Sequence, residues 1–287
     1  MTALVTPFRD GKVDEKSLRD LVEWQIQSGT QVLVPCGTTG EAPTLTDEEH
    51  ERIITIVVDQ AKKRVPVLAG AGSNSTEKAI KLAKQAKKAG ATGTLQVTPY
   101  YNKPTQEGLY RHFKAIAEAV DLPLVLYNVQ GRTAVNMEAE TTLRLSQIKN
   151  IVGIKEASIT RLEQANKIIQ EAPSDFGVYC GDDPLNSQIY TLGGRGAISV
   201  TANIVPEKVA KVWNLHSAGN KRDSMSAHEK LSPLNKILFI ETNPLPVKTA
   251  LAMMGKCAEE FRLPLCPMSE SNKTKLKECL KQEKLLP

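Results

Sequence analysis

Short, nearly unbroken apolar runs alternate with longer amphipathic stretches as far as about residue 216. The apolar runs fall at residues 3–8, 31–36, 65–69, 94–98, 124–127, 151–156, 177–180 and 197–200. Each precedes a stretch of helical periodicity, at 17–28, 46–63, 76–89, 106–119, 138–148, 161–171, 184–192 and 206–216. Such periods separate buried strands from amphipathic helices. Local punctuation agrees. Thr46-Asp47-Glu48-Glu49 has the form of a capping box, and Gly90 stands where a left-handed helix terminator belongs. Strands that are apolar throughout are covered on both faces, as in parallel sheets. Eight strand–helix units in succession predict an α/β fold, a (β/α)8 TIM barrel, with a doubly wound sheet as the alternative.

Beyond Gly219 the strands stop. Residues 223–239, 245–255 and 270–283 predict helices, punctuated by Pro244, Pro246, Pro264 and Pro267. The pattern predicts a barrel over residues 1–219 and a C-terminal helical appendage over 220–287, packed on the barrel with no flexible linker.

Composition removes several classes of function. A chain of 287 residues with 41% apolar and 24% charged residues is ordinary for a single globular barrel. The net charge of +5 is spread over many helical segments, which argues for solvated helix faces and against a nucleic-acid surface. Cys36, Cys180, Cys257, Cys266 and Cys279 are odd in number and lack metal-type spacing, so free thiols in a reducing compartment are expected. No charged-then-apolar leader opens the chain, and no run approaches the ~18 apolar residues of a membrane span. The expectation is a soluble, cytoplasmic protein.

The polar residues that interrupt the apolar pattern lie at the C-terminal ends of the predicted strands, which is the active-site face of such a barrel. Lys155 is the most informative of them. It interrupts Ile151-Val152-Gly153-Ile154-Lys155-Glu156-Ala157-Ser158, and lysine rarely enters a buried strand unless it is paired or used in chemistry. Burial disfavours an ammonium, and a free amine beside a carbonyl compound forms a Schiff base. The alternative is an edge strand whose lysine snorkels into solvent. Gly37-Thr38-Thr39-Gly40-Glu41 offers two hydroxyls and backbone amides to a carboxylate, or is a plain glycine turn. Tyr100-Tyr101-Asn102 and Tyr127-Asn128 end the next strands as core caps or as a proton relay facing the lysine. Asp182-Asp183 suggests a metal, but Asp183 before Pro184 reads more simply as a helix cap. Gly70-Ala71-Gly72 lacks the third glycine of a dinucleotide fingerprint.

Together these motifs, with Tyr127-Asn128-Val129-Gln130-Gly131-Arg132-Thr133 and Gly153-Ile154-Lys155-Glu156-Ala157, resemble the dihydrodipicolinate synthases. These belong to the N-acetylneuraminate lyase superfamily of class I aldolase-type barrels. The likeness runs from Ala3-Leu4-Val5-Thr6-Pro7 to Arg262-Leu263-Pro264-Leu265, and Thr38 with Arg132 points to the synthases rather than to the sugar-acid lyases.

The resemblance implies a mechanism. Lys155 forms an imine with pyruvate, Thr39 holds the pyruvate carboxylate, and Tyr127 shuttles protons through Thr38 to Tyr101. The enamine attacks aspartate 4-semialdehyde, whose carboxylate Arg132 grips, and cyclisation completes the first committed step of diaminopimelate and lysine synthesis. Gly181 and Ile198 are further substrate-binding positions. No metal or organic cofactor is implied, because the imine is the electron sink. The residue matching Tyr101 reaches a neighbouring subunit in the family, so a homo-oligomer is implied: a dimer at least, with a tetramer as the expected form. His50, Asn74 and Tyr100 match positions that line a lysine-effector cleft. Lys78 occupies that cleft's acidic position, and Asp47 and Pro43 also depart, so weak or absent lysine inhibition is expected.

Three other positions depart from the family pattern. Gln130 stands where proline is usual, which loosens the Arg132 loop; Pro184 follows the acidic pair; and the first strand begins almost at once. A pyruvate-dependent sugar-acid aldolase would share Lys155 and Tyr127 and differ only in its second substrate. A non-catalytic binding barrel would have no use for Lys155, Tyr127, Thr38 and Arg132 together.

Overall fold

The computed structural model describes residues 1–157 and 162–287. They gather into two compact units: Leu68–Ile198, and the outer segments Met1–Val67 and Ser199–Pro287.

In the outer unit, β1 (Thr2–Ala3) pairs in parallel with β2 (Leu33–Val34). Parallel bridges continue on either side, from Thr2 to Ser199 and from Leu33 to Val67. Both strands are shorter than the runs that predicted them. The amide of Val5 goes to the Asn203 side chain instead of a neighbouring strand. Phe8–Arg9 then pairs antiparallel with Lys12–Val13 through a hairpin that lies mostly beyond the predicted strand 3–8. Its turn residues Asp10 and Gly11 have φ of 53° and 74°. An Asp-Gly pair accepts the two left-handed conformations of a type I′ turn, so the predicted strand 3–8 gives way at its end to a hairpin.

Helices Glu15–Gln27 and Asp47–Ala61 pack together in this unit. The second begins with the predicted capping box: Glu49 N–H donates to Thr46 Oγ1 at 3.2 Å, and Thr46 N–H donates to the Glu49 carboxylate at 3.1 Å. The helices Pro206–Ser217, Lys221–Glu229, Ser232–Ile237, Leu245–Met253 and Glu270–Gln282 belong to the same unit, with no separation at Gly219. The single helix expected over 223–239 is two. Pro233 has no amide hydrogen and would clash with the carbonyl one turn back, so it occupies the first turn of a new helix.

The inner unit is a five-stranded parallel sheet: β3 (Leu68–Gly70), β4 (Gly93–Val97), β5 (Leu124–Asn128), β6 (Ile151–Glu156) and β7 (Gly177–Cys180), paired in that order. The register between β5 and β6 shifts after Leu124, and Tyr127 then lies beside Lys155 and Asn128 beside Glu156. On one face Leu124, Leu126, Ile151, Ile154 and Val178 pack against Leu82, Leu109, Phe113, Ile116 and Ile168 from the covering helices. Each such side chain, fully buried, contributes about 1.5–3 kcal/mol. On the other face a Cβ at Gly153 would stand 2.5 Å from the Gly177 carbonyl and 3.0 Å from the Tyr179 ring, so glycine admits the aromatic ring.

The eighth predicted strand, 197–200, appears only as the bridges Ala197 to Cys180 and Ser199 to Thr2, followed by a 3-10 turn at Thr201–Asn203. Arg161, the first residue of the helix expected over 161–171, lies outside the described residues, and Leu162–Glu171 is helical. Among the described residues no helix is long and apolar enough to cross a membrane.

Candidate active site

Side chains alternate along a strand, so Tyr127 and Lys155 share the face of the inner sheet turned away from the helices. Lys155 is only 6% exposed, and β6 is paired on both sides, which rules out the snorkelling edge strand. Its Nζ lies over the Tyr127 ring, 4.2 Å from the centroid. Among the described residues no carboxylate pairs with the ammonium. An amine that is buried, unpaired and beside a phenol suits attack on a carbonyl.

The stem of Lys155 is held by close packing. A Cβ at Gly181 would meet Lys155 Cγ and Cε at 3.0 Å and Ala157 Cβ at 2.6 Å, so only glycine leaves that stem in place. Gly181 N–H donates to the Glu156 carbonyl at 2.7 Å. Ile198, 1% exposed, donates its N–H to the Cys180 carbonyl at 2.8 Å.

Behind this face, on the helix side, lies a polar cluster that the sequence analysis missed. Asn128 Nδ2 donates to both Glu156 oxygens at 3.2 and 3.0 Å and to Asn136 Oδ1 at 2.9 Å. Gln164 Nε2 donates to Glu156 Oε2 at 3.0 Å, and Met137 N–H donates to Asn128 Oδ1 at 3.0 Å. For two of its members the signal was present in the sequence: Asn128 and Glu156 each end an apolar strand one position after Tyr127 and Lys155.

Elsewhere in the inner unit, Tyr101 is 90% exposed with φ of 74°, an outward side chain on an uncommon backbone conformation. Asn74 Nδ2 donates to the Tyr100 carbonyl at 3.2 Å, which brings those two residues together. Arg132 is exposed on the single helical turn Gln130–Thr133, where the Gln130 carbonyl accepts from Ala134 N–H at 2.9 Å. Asp183 does not cap the helix Asn186–Leu192; it opens the 3-10 turn Asp183–Leu185, and its carboxylate accepts from the Asn186 side chain at 3.1 Å. Proline at the second position of that turn explains the shift. Burial, and then the Asp183 carboxylate, hold the neighbouring Asp182 carboxyl up at about 6. No group of metal-ligating side chains occurs among the described residues.

In the outer unit, the loop after β2 folds on itself. The amides of Gly40, Glu41 and Ala42 donate to the carbonyls of Gly37, Thr38 and Gly37 at 3.1, 3.1 and 3.3 Å. The Thr38 and Thr39 amides are not used in that turn. Asn243 Nδ2 donates to Thr39 Oγ1 at 3.0 Å, which leaves the buried hydroxyl's own proton to be donated elsewhere. Adjacent amides with a hydroxyl proton suit an anion such as a carboxylate. Below them, Glu41 (φ 56°) forms a fully buried ion pair with Lys248 at 2.6 Å. Lys248 Nζ lies 4.0 Å from the Phe8 ring centroid, and Arg262 N–H also reaches the Glu41 carboxylate, at 3.4 Å. Neither Asn243 nor Lys248 was among the residues expected from sequence. His50 is buried on Asp47–Ala61 in this unit. All five cysteines are free, and burial pushes the Cys36 and Cys180 thiols up.

Comparison with known proteins defines first a class. A dihydrodipicolinate synthase from Aquifex aeolicus superposes with a TM-score of 0.97 at 45% identity, over 99% of this chain and 97% of that one. A synthase from Acinetobacter baumannii, solved in complex with pyruvate, gives 0.97 at 48% identity, over 99% and 98%. The chain therefore has the (β/α)8 barrel fold of these enzymes, with helices following the barrel. The 4-hydroxy-tetrahydrodipicolinate synthase of Thermodesulfovibrio yellowstonii is 55% identical over 286 residues, covering 100% of this chain and 98% of that protein. The pattern that defines the dihydrodipicolinate synthetase family matches residues 1–283, and the chain belongs to that family.

Proposed function

We propose that this chain condenses pyruvate with L-aspartate 4-semialdehyde to 4-hydroxy-tetrahydrodipicolinate, through an imine on Lys155. The observation that carries this reading is the buried Lys155 amine, unpaired among the described residues and 4.2 Å from the Tyr127 ring centroid. In the reaction Lys155 Nζ adds to the pyruvate ketone and water leaves, giving the imine. Loss of a methyl proton gives the enamine, whose carbon attacks the aldehyde. The substrate's amine then closes onto the imine carbon and releases Lys155. Tyr127 carries protons in these steps, with Thr38 and Tyr101 as its relay. Thr39 and the neighbouring amides take the pyruvate carboxylate, and Arg132 takes the semialdehyde carboxylate as a two-pronged donor. Gly181 and Ile198 complete the substrate-binding positions.

Two measurements test this. Borohydride with pyruvate is expected to add a reduced pyruvyl group to the peptide containing Lys155; labelling elsewhere, or none, sinks the mechanism. A coupled assay offering aspartate semialdehyde against N-acetylneuraminate is expected to show turnover of the first alone. The opposite result would favour a sugar-acid aldolase.

The same reading makes the protein a cytoplasmic homo-oligomer, a dimer at least and a tetramer in full form. The exposed Tyr101 on its left-handed backbone supports this, because such a side chain serves best by entering a second copy. As for regulation, Asn74 and Tyr100 are joined, but the exposed Lys78 sits in the first turn of Thr76–Lys88. A cation facing a cationic ligand opposes binding. Sub-millimolar lysine is therefore expected to inhibit weakly or not at all in a steady-state assay, and strong inhibition would overturn this reading.

A further inference from the structure

We propose that Asn128 and Glu156 are positioning residues for the reaction: a buried clasp on the back of the sheet that sets how Tyr127 and Lys155 face each other on its front. The inference rests on the reading of Lys155 as the imine-forming amine.

The geometry is direct. Asn128 and Glu156 are register partners one position beyond the partners Tyr127 and Lys155. Successive strand residues point to opposite faces, so the clasp and the reactive pair share backbone but no surface. Both clasp residues are buried, at 0% and 4% exposure. Asn128 spends its amide hydrogens on Glu156 and Asn136 and its carbonyl on Met137 N–H. Gln164, from the helix Leu162–Glu171, takes the Glu156 carboxylate from the far side and receives Asn136 Nδ2 at 3.0 Å. A polar network buried beside an apolar layer favours one arrangement and penalises sliding, because a slip gives up hydrogen bonds to a buried carboxylate.

The clasp also lies just past an irregularity. Register shifts between Leu124 and Val125, so the upstream half of the β5–β6 ladder does not by itself dictate the downstream alignment. The Asn128–Glu156 contact fixes that alignment at the end where the chemistry sits. A displacement of about 1 Å between reacting groups can lower a rate about 10²-fold.

The test is the rate of imine formation, followed by borohydride quenching at successive times and expressed per site that ultimately labels. Melting temperature and pyruvate KM are measured alongside. Asn128→Ala and Glu156→Gln are each expected to slow imine formation about tenfold or more per labelled site, with KM for pyruvate within about twofold. Asn128→Asp, which sets two carboxylates against each other, is expected to be slower still. Adding Glu156→Gln to it restores an amide–carboxylate pair and is expected to recover much of the rate. Gln164→Met, at the edge of the network, gives a milder fall in the same direction and keeps the test open where a stronger variant fails to fold. Variants that melt earlier but form the imine at an unchanged rate per labelled site would overturn the proposal, as would an exchanged pair no faster than Asn128→Asp alone. An unaltered protein that never labels at Lys155 would instead overturn the proposed function.

Discussion

Two buried lysines in this chain have opposite surroundings. Lys248 is fully enclosed, 2.6 Å from the Glu41 carboxylate, over the Phe8 ring and within reach of Phe261. Burial pulls its ammonium down from the ordinary lysine range, and the Glu41 carboxylate pulls it back up. Lys155 is almost as deeply buried, but it has an aromatic ring and a glycine beside it and, among the described residues, no carboxylate partner. A paired charge in a protein interior is fixed in place. A buried amine with no counter-ion can exchange its proton for a covalent bond to carbon. Under the proposed function it is the lack of a partner, rather than burial alone, that sets Lys155 apart from Lys248.

The sharpest way to break this contrast is to exchange the amine proposed to form the imine. Lys155→Arg keeps a cation, yet its guanidinium stays protonated and cannot add to a ketone, so turnover is expected to fall by about 10³-fold or more. Borohydride labelling should vanish while the melting temperature holds within a few degrees. Retained labelling would place the nucleophile elsewhere.

Lys248 should fail in the other way. Lys248→Met strands the buried Glu41 carboxylate and is expected to remove about 3–5 kcal/mol of stability in urea titration, while the folded fraction still labels at Lys155. Adding Glu41→Gln should return most of the loss, since a neutral pair of similar size needs no counter-charge. A double variant as unstable as the single would show that the pair matters for more than its charges.

Next come Tyr127 and Arg132. Tyr127→Phe is expected to lower kcat by about 10²-fold, the usual share of a positioned acid–base group. Arg132→Ala should raise KM for the semialdehyde, with the pyruvate imine still trapped. Loss of trapping in Arg132→Ala would overturn that division of roles.

The smallest effect concerns Asp182, whose carboxyl is held up at about 6 against an ordinary 3.8. With the folded value raised, its contribution to stability is whole below the ordinary value and is lost as pH rises through about 6. Asp182→Asn should flatten the fall in melting temperature between about pH 4 and about pH 7. An unchanged slope would place the titrating group elsewhere.

Periodicity made most of the fold legible: β6, β7 and the helix Gln106–Ala119 have the predicted bounds, and the capping box at Thr46 formed as its spacing requires. Errors gathered where one residue's backbone chemistry overrides the pattern. Asp10-Gly11 set a hairpin at the end of the predicted run 3–8, and Pro233 divided a helix. In the candidate site Lys155 stood out because a charge in an apolar run is improbable without a use. Lys248, inside Leu245-Pro246-Val247-Lys248-Thr249-Ala250-Leu251, carried the same signal and was passed over.

By itself the sequence determined the strand–helix alternation, the apolar runs around both lysines and the family motifs, because these depend on local periodicity and residue type. Only the tertiary structure decided which lysine is paired. Glu41 and Lys248 are 207 positions apart, and Asn128 and Glu156 are 28 apart. Their meeting depends on strand register and chain path, which no local pattern encodes. A buried charge announces itself in sequence, but its partner is supplied by the fold.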